Sequence, residues 1–374
     1  MSSGQVVVRR VEGRLGRLTL NRPEALNALS LEMIRLVRGS LEQWESSGEV
    51  EAVLLDGSGD RAFCAGGDIR VVFDALDPER PDCRAAELLW REQHELNALI
   101  ADFQLPVISV LDGLVLGGGV GIGCHARHRL ATQRTVLGMP EVAIGLAPDV
   151  GALHIAATGP GRLGDHMALT ATRVGPRTAV AAGYADRVVD RSRVSDLVRD
   201  LARGTDVEEA LHKLVDGSGD IALPEELCDL ETSWIESCYG PADLLEVIDR
   251  LRARTEPLAR AAARSLEDAA PVAAAVTARS IADIRSRDLD LFTVLRDDLR
   301  RNVHFSHHPD LREGIRAAVV DKDRSPRWSS PGELHAEQLD AYSAPFDGPD
   351  LDVAGIRARR VGTATEDTQG KVVG

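Results

Sequence analysis

Hydrophobic positions between residues 5 and 190 change period repeatedly along the chain. Val6 to Val11 reads as a strand, Gly13 to Gly16 as a turn region, and Leu18 to Leu20 as a second strand. Ser30 is placed to cap a helix whose apolar positions Met33, Ile34, Val37, Leu41 and Trp44 fall on one stripe. Ala52-Val53-Leu54-Leu55 predicts a short buried strand, ended by Asp56-Gly57-Ser58-Gly59. A long helix around Ala85 to Ala101 precedes the strand Val107 to Leu111. Such alternation implies crossover units and a largely parallel sheet, with ligands bound at the C-terminal ends of its strands.

Near Asp190 the pattern changes. Strand signals fade, and charged, Ala/Leu/Arg-rich helical patterns run to about 320, interrupted by a linker at Asp216-Gly217-Ser218-Gly219-Asp220 and Pro224. Helices are expected at Leu291 to Val303 and at Leu311 to Val320. Beyond 346 the chain is rich in Gly, Asp, Thr and Arg, and is expected to be a mobile, disordered tail. The expected organisation is therefore a core over 1–190, a helical C-terminal region over 191–345 and a tail over 346–374.

Composition narrows the function. A formal charge of −15 argues against a nucleic-acid surface, which needs a basic excess. No apolar run approaches the roughly 20 residues that span a bilayer. The N-terminus lacks a signal-peptide core and enters the first strand almost at once, so a soluble, cytoplasmic protein is expected. The cysteines Cys64, Cys83, Cys124, Cys228 and Cys238 are scattered without CxxC spacing, which suggests neither disulfides nor zinc.

Three segments can carry chemistry. Ala65-Gly66-Gly67-Asp68, ahead of a helix start, lets backbone approach a ligand and offers an N–H to an anion, although a tight loop without a ligand reads the same way. Gly117-Gly118-Gly119 and Gly121 fit neither the dinucleotide nor the P-loop pattern; they suit either free N–H groups at a helix start or close helix packing. Glu141 and Asp149 lie in a loop punctuated by Pro140, Gly145, Pro148 and Gly151, as pocket carboxylates or as solvated acids. A metal site at His304, His307 and His308 is not expected, since no cysteine is near and the neighbouring acids fit no zinc pattern. Ser58 lacks the setting of a nucleophile elbow.

In this order and at these separations the motifs resemble the enoyl-CoA hydratase/isomerase (crotonase) superfamily. Asn21-Arg22-Pro23-Glu24-Ala25-Leu26-Asn27-Ala28-Leu29 and the stretch from Leu163-Gly164 to Val188-Val189-Asp190 add to the likeness. A narrower likeness, to the 3-hydroxyisobutyryl-CoA hydrolase branch, rests on three stretches: Gly118 to Gly121, Met139 to Gly151, and Pro309 to Ala317 with Asp321 to Trp328. The resemblance implies a crotonase-like ββα spiral core of α/β class, with an α-helical C-terminal region. It implies that the amides of Gly67 and Gly118 hold a thioester oxyanion.

Of the two glutamates that hydratases of this superfamily use, the first would fall on Gly121, which has no side chain, and the second on Glu141. The hydrolase branch has a glycine at the first place and Asp149 as its added carboxylate. The resemblance thus points to hydrolysis of a short-chain 3-hydroxyacyl-CoA, 3-hydroxyisobutyryl-CoA first, in valine breakdown. Glu141 acts as base or nucleophile and Asp149 orients water or substrate. The branch usually carries Arg-x-Glu-Tyr in a helix where this chain has Arg91-Glu92-Gln93-His94, placing Gln93 against the substrate without charge. Ala65, Gly66, Asp68 and Gly117, with Glu24, Ala25 and Leu26 towards the adenine end, are implied substrate contacts. No cofactor is implied, CoA being part of the substrate; a homotrimer or hexamer is. A hydratase or isomerase, and a non-catalytic CoA-binding paralogue, are the alternatives.

Overall fold

The computed structural model describes residues 4–79, 82–216, 221, 223–230, 232–330, 332, 334–353, 355 and 356. Two sheets organise the first half. Strands β1 (Val7–Glu12) and β2 (Leu15–Leu20) pair antiparallel across the turn at Gly13-Arg14. The sheet then runs in parallel through β3 (Ala52–Gly57), β5 (Val107–Leu111), β7 (His128–Thr132) and β9 (Arg187–Val189). A smaller sheet of three short parallel strands, β4 (Ala62–Cys64), β6 (Leu114–Leu116) and β8 (Val136–Gly138), stands beside it.

Helices α1 (Leu31–Ser47), α2 (Ile69–Ala75), α3 (Arg84–Ala101) and α4 (Gly118–Cys124) make the crossovers. Helix α1 forms as its sequence predicts. The Ser30 hydroxyl accepts from the Met33 amide at 3.2 Å, and the stripe from Met33 to Trp44 is buried. Helices α5 (Ala152–Thr158), α6 (Leu163–Thr170) and α7 (Pro176–Ala181) complete the segment up to β9.

Beyond residue 190 the helices do two different things. Helices α8 (Val194–Ala202) and α9 (Val207–Asp216) cover the outer face of the large sheet through Leu197, Leu201 and Leu211 against Leu54 and Ile108. Helices α10 (Ser233–Cys238), α11 (Leu244–Arg252) and α12 (Pro257–Asp268) build a second apolar cluster with Val142 and Leu169. By contrast, α13 (Pro271–Arg287), α14 (Leu291–Ser306) and α15 (Pro309–Ile315), the last continued by a π turn over Arg316–Val320, enter the main core itself. Leu295, Leu299, Val303, Leu311 and Ile315 there join Leu18, Phe63 and Val120. A last short helix, α16, spans Ala336–Asp340.

The expectation of a mobile tail from 346 does not hold up to residue 356. Leu351 is buried, and Phe346, Val353 and Ile356 pack against the main core. Arg300 pairs with Asp350, and Arg91 donates to the Pro349 carbonyl at 3.1 Å. Isolated apolar residues and one aspartate anchor a segment whose composition alone looks unstructured. Residues 357–374, like residues 217–220 of the expected linker, lie outside the described residues.

Candidate active site

Each strand of the small sheet delivers one chemical segment from its C-terminal end. Strand β4 leads into Ala65-Gly66-Gly67, β6 into Gly117-Gly118, and β8 into the 3-10 turn Glu141–Ile144. Because the strands are parallel and adjacent, the three loops converge on one side. They open on a cavity of about 290 Å³. Eight of the expected site residues line it: Ala65, Gly66, Gly67, Gln93, Gly117, Gly118, Glu141 and Asp149. Leu89 and Trp90 of α3, Ile69 and Val72 of α2, and Leu311, Ala318 and Val319 of the C-terminal region supply apolar walls.

Glu24, Ala25, Leu26 and Asp68 are not in this lining. The Leu26 carbonyl accepts from the Ala65 amide at 3.0 Å, the Gly66 carbonyl accepts from Leu29 at 2.8 Å, and Asp68 is engaged by Arg22 at 3.2 Å. The turn around 23–26 thus braces the Gly66-Gly67 loop from behind.

Gly67 and Gly118 both line the cavity. In the bridge between Leu29 and Gly67 the hydrogen bonds use the amides of Leu29 and Asp68, leaving that of Gly67 uncommitted. Gly118 opens α4, where first-turn amides have no helical acceptor. Among the described residues neither amide donates to another backbone group. The backbones stand close: an ideal Cβ on Gly118 would lie 3.0 Å from the Gly67 nitrogen and would overlap Gln93 Nε2. Any side chain at Gly118 would fill the space between the two donors.

Glu141 is 6% exposed and its Oε2 has no partner among the described residues, while Oε1 lies over Gly117. Burial drives its carboxyl well above the ordinary range, and the negative charge of Asp149 adds to the effect. Asp149 is also raised, first by burial; Asp298 adds to this and the hydrogen bond from Asn302 opposes it. The two acids interact, so they titrate as a pair.

Gly121 explains itself by volume. An ideal Cβ there would lie 2.7 Å from both Asn97 Nδ2 and Val150 Cβ. The space a first glutamate would need is taken by Asn97, a fully buried carboxamide with neither polar atom partnered among the described residues.

Several residues around this site had no signal in the sequence. The loop 149–151 is gripped at successive positions. Asn302 Nδ2 donates to Asp149 Oδ2 at 2.7 Å, the Val150 amide donates to His94 Nε2 at 3.4 Å, and the Gly151 amide donates to Asp298 Oδ2 at 2.7 Å. His125 Nε2 donates to the Val150 carbonyl at 2.7 Å; burial lowers the His125 pKa to about 4, so it is neutral. His94 Nδ1 donates to the Trp90 carbonyl, which leaves Nε2 as the acceptor. Val150 has φ 56°, a left-handed conformation that costs a β-branched residue about 1–3 kcal/mol. These side chains hold it there. Their partners are up to 153 positions away in the sequence, so spacing could not reveal them.

The comparisons with known proteins fit this geometry. The enoyl-CoA hydratase/isomerase family model matches residues 15–342, and the chain belongs to that family, the crotonase superfamily. The human mitochondrial 3-hydroxyisobutyryl-CoA hydrolase is 33% identical over 332 residues, covering 86% of this chain and 83% of its own length. The Danio rerio protein of the same name is 32% identical over 331 residues, covering 87% and 85%. By these relatives the chain falls in the 3-hydroxyisobutyryl-CoA hydrolase branch. Among solved structures, a carnitinyl-CoA dehydratase from Mycobacterium thermoresistibile aligns with a TM-score of 0.84 at 35% identity, over 94% of this chain and 100% of that one. An enoyl-CoA hydratase from Rhodobacter sphaeroides 2.4.1 aligns at 0.83 with 37% identity, over 93% and 99%.

Proposed function

We propose that the chain hydrolyses a short-chain 3-hydroxyacyl-CoA thioester, 3-hydroxyisobutyryl-CoA first, to the free acid and CoA. The observation that carries the reading is that Glu141 shares its cavity with the uncommitted amides of Gly67 and Gly118, while Asn97 and Val150 occupy the place of the first glutamate at Gly121. Syn hydration calls on two acid/base groups; thioester hydrolysis needs one, with a donor pair for the oxyanion.

In this reading the amides of Gly67 and Gly118 hold the oxyanion, each contributing about 2.7–4 kcal/mol to the transition state. Glu141, its basicity raised by burial, removes a proton from water attacking the carbonyl carbon. The tetrahedral intermediate then expels the CoA thiolate, which takes that proton. Alternatively the Glu141 carboxylate attacks, expels the thiolate and forms a mixed anhydride that water opens. Asp149 orients the water or the substrate hydroxyl. No cofactor enters either route, and the substrate of this reading belongs to valine breakdown.

Two relatives by structure are named a dehydratase and a hydratase, so double-bond chemistry is the second reading. An acyl-CoA panel followed by free-thiol release and by enoyl absorbance separates the two. Free CoA from 3-hydroxyisobutyryl-CoA is expected, and Glu141→Gln should lower that rate at least about 10³-fold. Absorbance change without thiol release would favour the second reading. A single turnover in ¹⁸O-water leaves label in Glu141 only if it is the nucleophile.

A further inference from the structure

We infer that Asn302 is a positioning residue for Asp149, so that the catalytic pair is complete only with helix α14 in place. The inference rests on the hydrolase reading for the consequence in turnover, but its geometric basis stands apart from it.

Asn302 is fully buried on α14, and its Nδ2 donates to Asp149 Oδ2 at 2.7 Å. One turn earlier Asp298, also fully buried, accepts from the Gly151 amide at 2.7 Å and is neutralised by Arg301, which in turn donates to Ser343 Oγ at 3.0 Å. The same helix therefore fixes both the side chain of Asp149 and the backbone two residues on. The 149–151 loop needs this support, because Val150 and Gly151 both have positive φ, at 56° and 76°. Asn302 thus ties Oδ2 of an Asp149 that lines the cavity together with Glu141.

A carboxamide is suited to the place. Its NH₂ can only donate, so it favours the ionised form of Asp149, against burial and the charge of Asp298. The titratable or charged groups facing Asp149 are Glu141 from the 3-10 turn, His94 from α3, with Nε2 3.9 Å from Oδ2, and Asp298 with its partner Arg301 from α14. Asn302 is the neutral donor among them. Its Oδ1 has no hydrogen-bond partner among the described residues.

The test uses the full chain with two substitutions. Asn302→Leu keeps the volume and removes the donor. It should lower kcat for the best thioester about tenfold or more, with KM changed much less, as expected for one lost charge-assisted hydrogen bond. Asn302→Asp keeps the shape. A proton shared between the two acids restores donation at low pH, so this variant should lose activity as pH rises and the shared proton leaves, an alkaline limb that the wild type lacks.

Carbon-13 NMR of labelled aspartate, with Asp149 assigned by Asp149→Asn, reads the same contact without turnover. Asp149 should titrate at higher pH in Asn302→Leu than in the wild type. Thermal unfolding checks that each variant is folded. If the wild type frees no CoA from any thioester, the hydrolase reading fails, while the Asp149 titration still decides the role of Asn302. Wild-type kcat, pH profile and Asp149 titration in folded Asn302→Leu overturn the inference.

Discussion

Glu141 carries opposite demands as a residue. Burial and Asp149 raise its carboxyl well above the ordinary range, which suits a base working near neutrality but disfavours the folded state once it ionises. The sign follows from the direction. With the folded value above the unfolded one, the stability associated with the protonated form is full below the ordinary carboxylate range. It is lost as pH rises through the folded value. Glu141→Gln should therefore unfold at a higher temperature than the wild type at neutral pH, and the gain should shrink near pH 4. A gain independent of pH would mean that packing, not ionisation, is responsible.

Gln93 sets a second test at this scale. Its carboxamide lies beside both Gly67 and Gly118 and can donate to or accept from a substrate hydroxyl. Gln93→Leu should lower the ratio of kcat/KM for 3-hydroxyisobutyryl-CoA over isobutyryl-CoA about tenfold, the worth of one hydrogen bond. An unchanged ratio would place the hydroxyl elsewhere.

Elements differ in how much of themselves they print in the sequence. Helix α1 is legible in full, because seventeen residues repeat its stripe and Ser30 marks its start. Strands β4, β6 and β8, which aim the three loops at one cavity, have three residues each, too few for any period to show. The glycine and carboxylate segments each also read as a tight loop, helix packing or solvated acids, and only their order and the resemblance it carries marked them; their supports had no such mark. Asn97 at Gly121, and His94, Asp298 and Asn302 around Val150, act through folding contacts across 24 to 153 positions. The 346–356 segment was misread because composition hides a few well-placed anchors. That segment gives a prediction for an element: a chain ending at 345 exposes the site of Leu351 and removes Asp350 from Arg300. It should lose about 2 kcal/mol or more in urea unfolding. Unchanged stability would reduce the segment to a surface decoration.

At the scale of the molecule, one core joins strands from the start of the chain to α14, α15 and Leu351, so the C-terminal region shares the stability of the site it supports. Buried histidines make that stability sensitive to acid. His166 on α6 accepts from or donates to Tyr239 Oη at 2.8 Å and packs edge-on against Trp234; burial lowers its pKa from 6.5 to about 4. The unfolded chain takes up a proton near pH 6.5 and the folded chain near 4. Stability from neutral His166 is thus complete above 6.5 and lost as pH falls towards 4. The gap corresponds to about 3 kcal/mol. Glu141 and Asp149 act in the opposite direction over part of this range, so total stability alone cannot isolate the histidine. The difference between wild type and His166→Gln can, because the acids are common to both and lie outside the His166 contacts. Glutamine still reaches a hydroxyl but does not titrate. The wild-type advantage in urea unfolding should fall by about 3 kcal/mol between pH 7 and pH 4, and a constant difference would show that His166 is not what acid attacks.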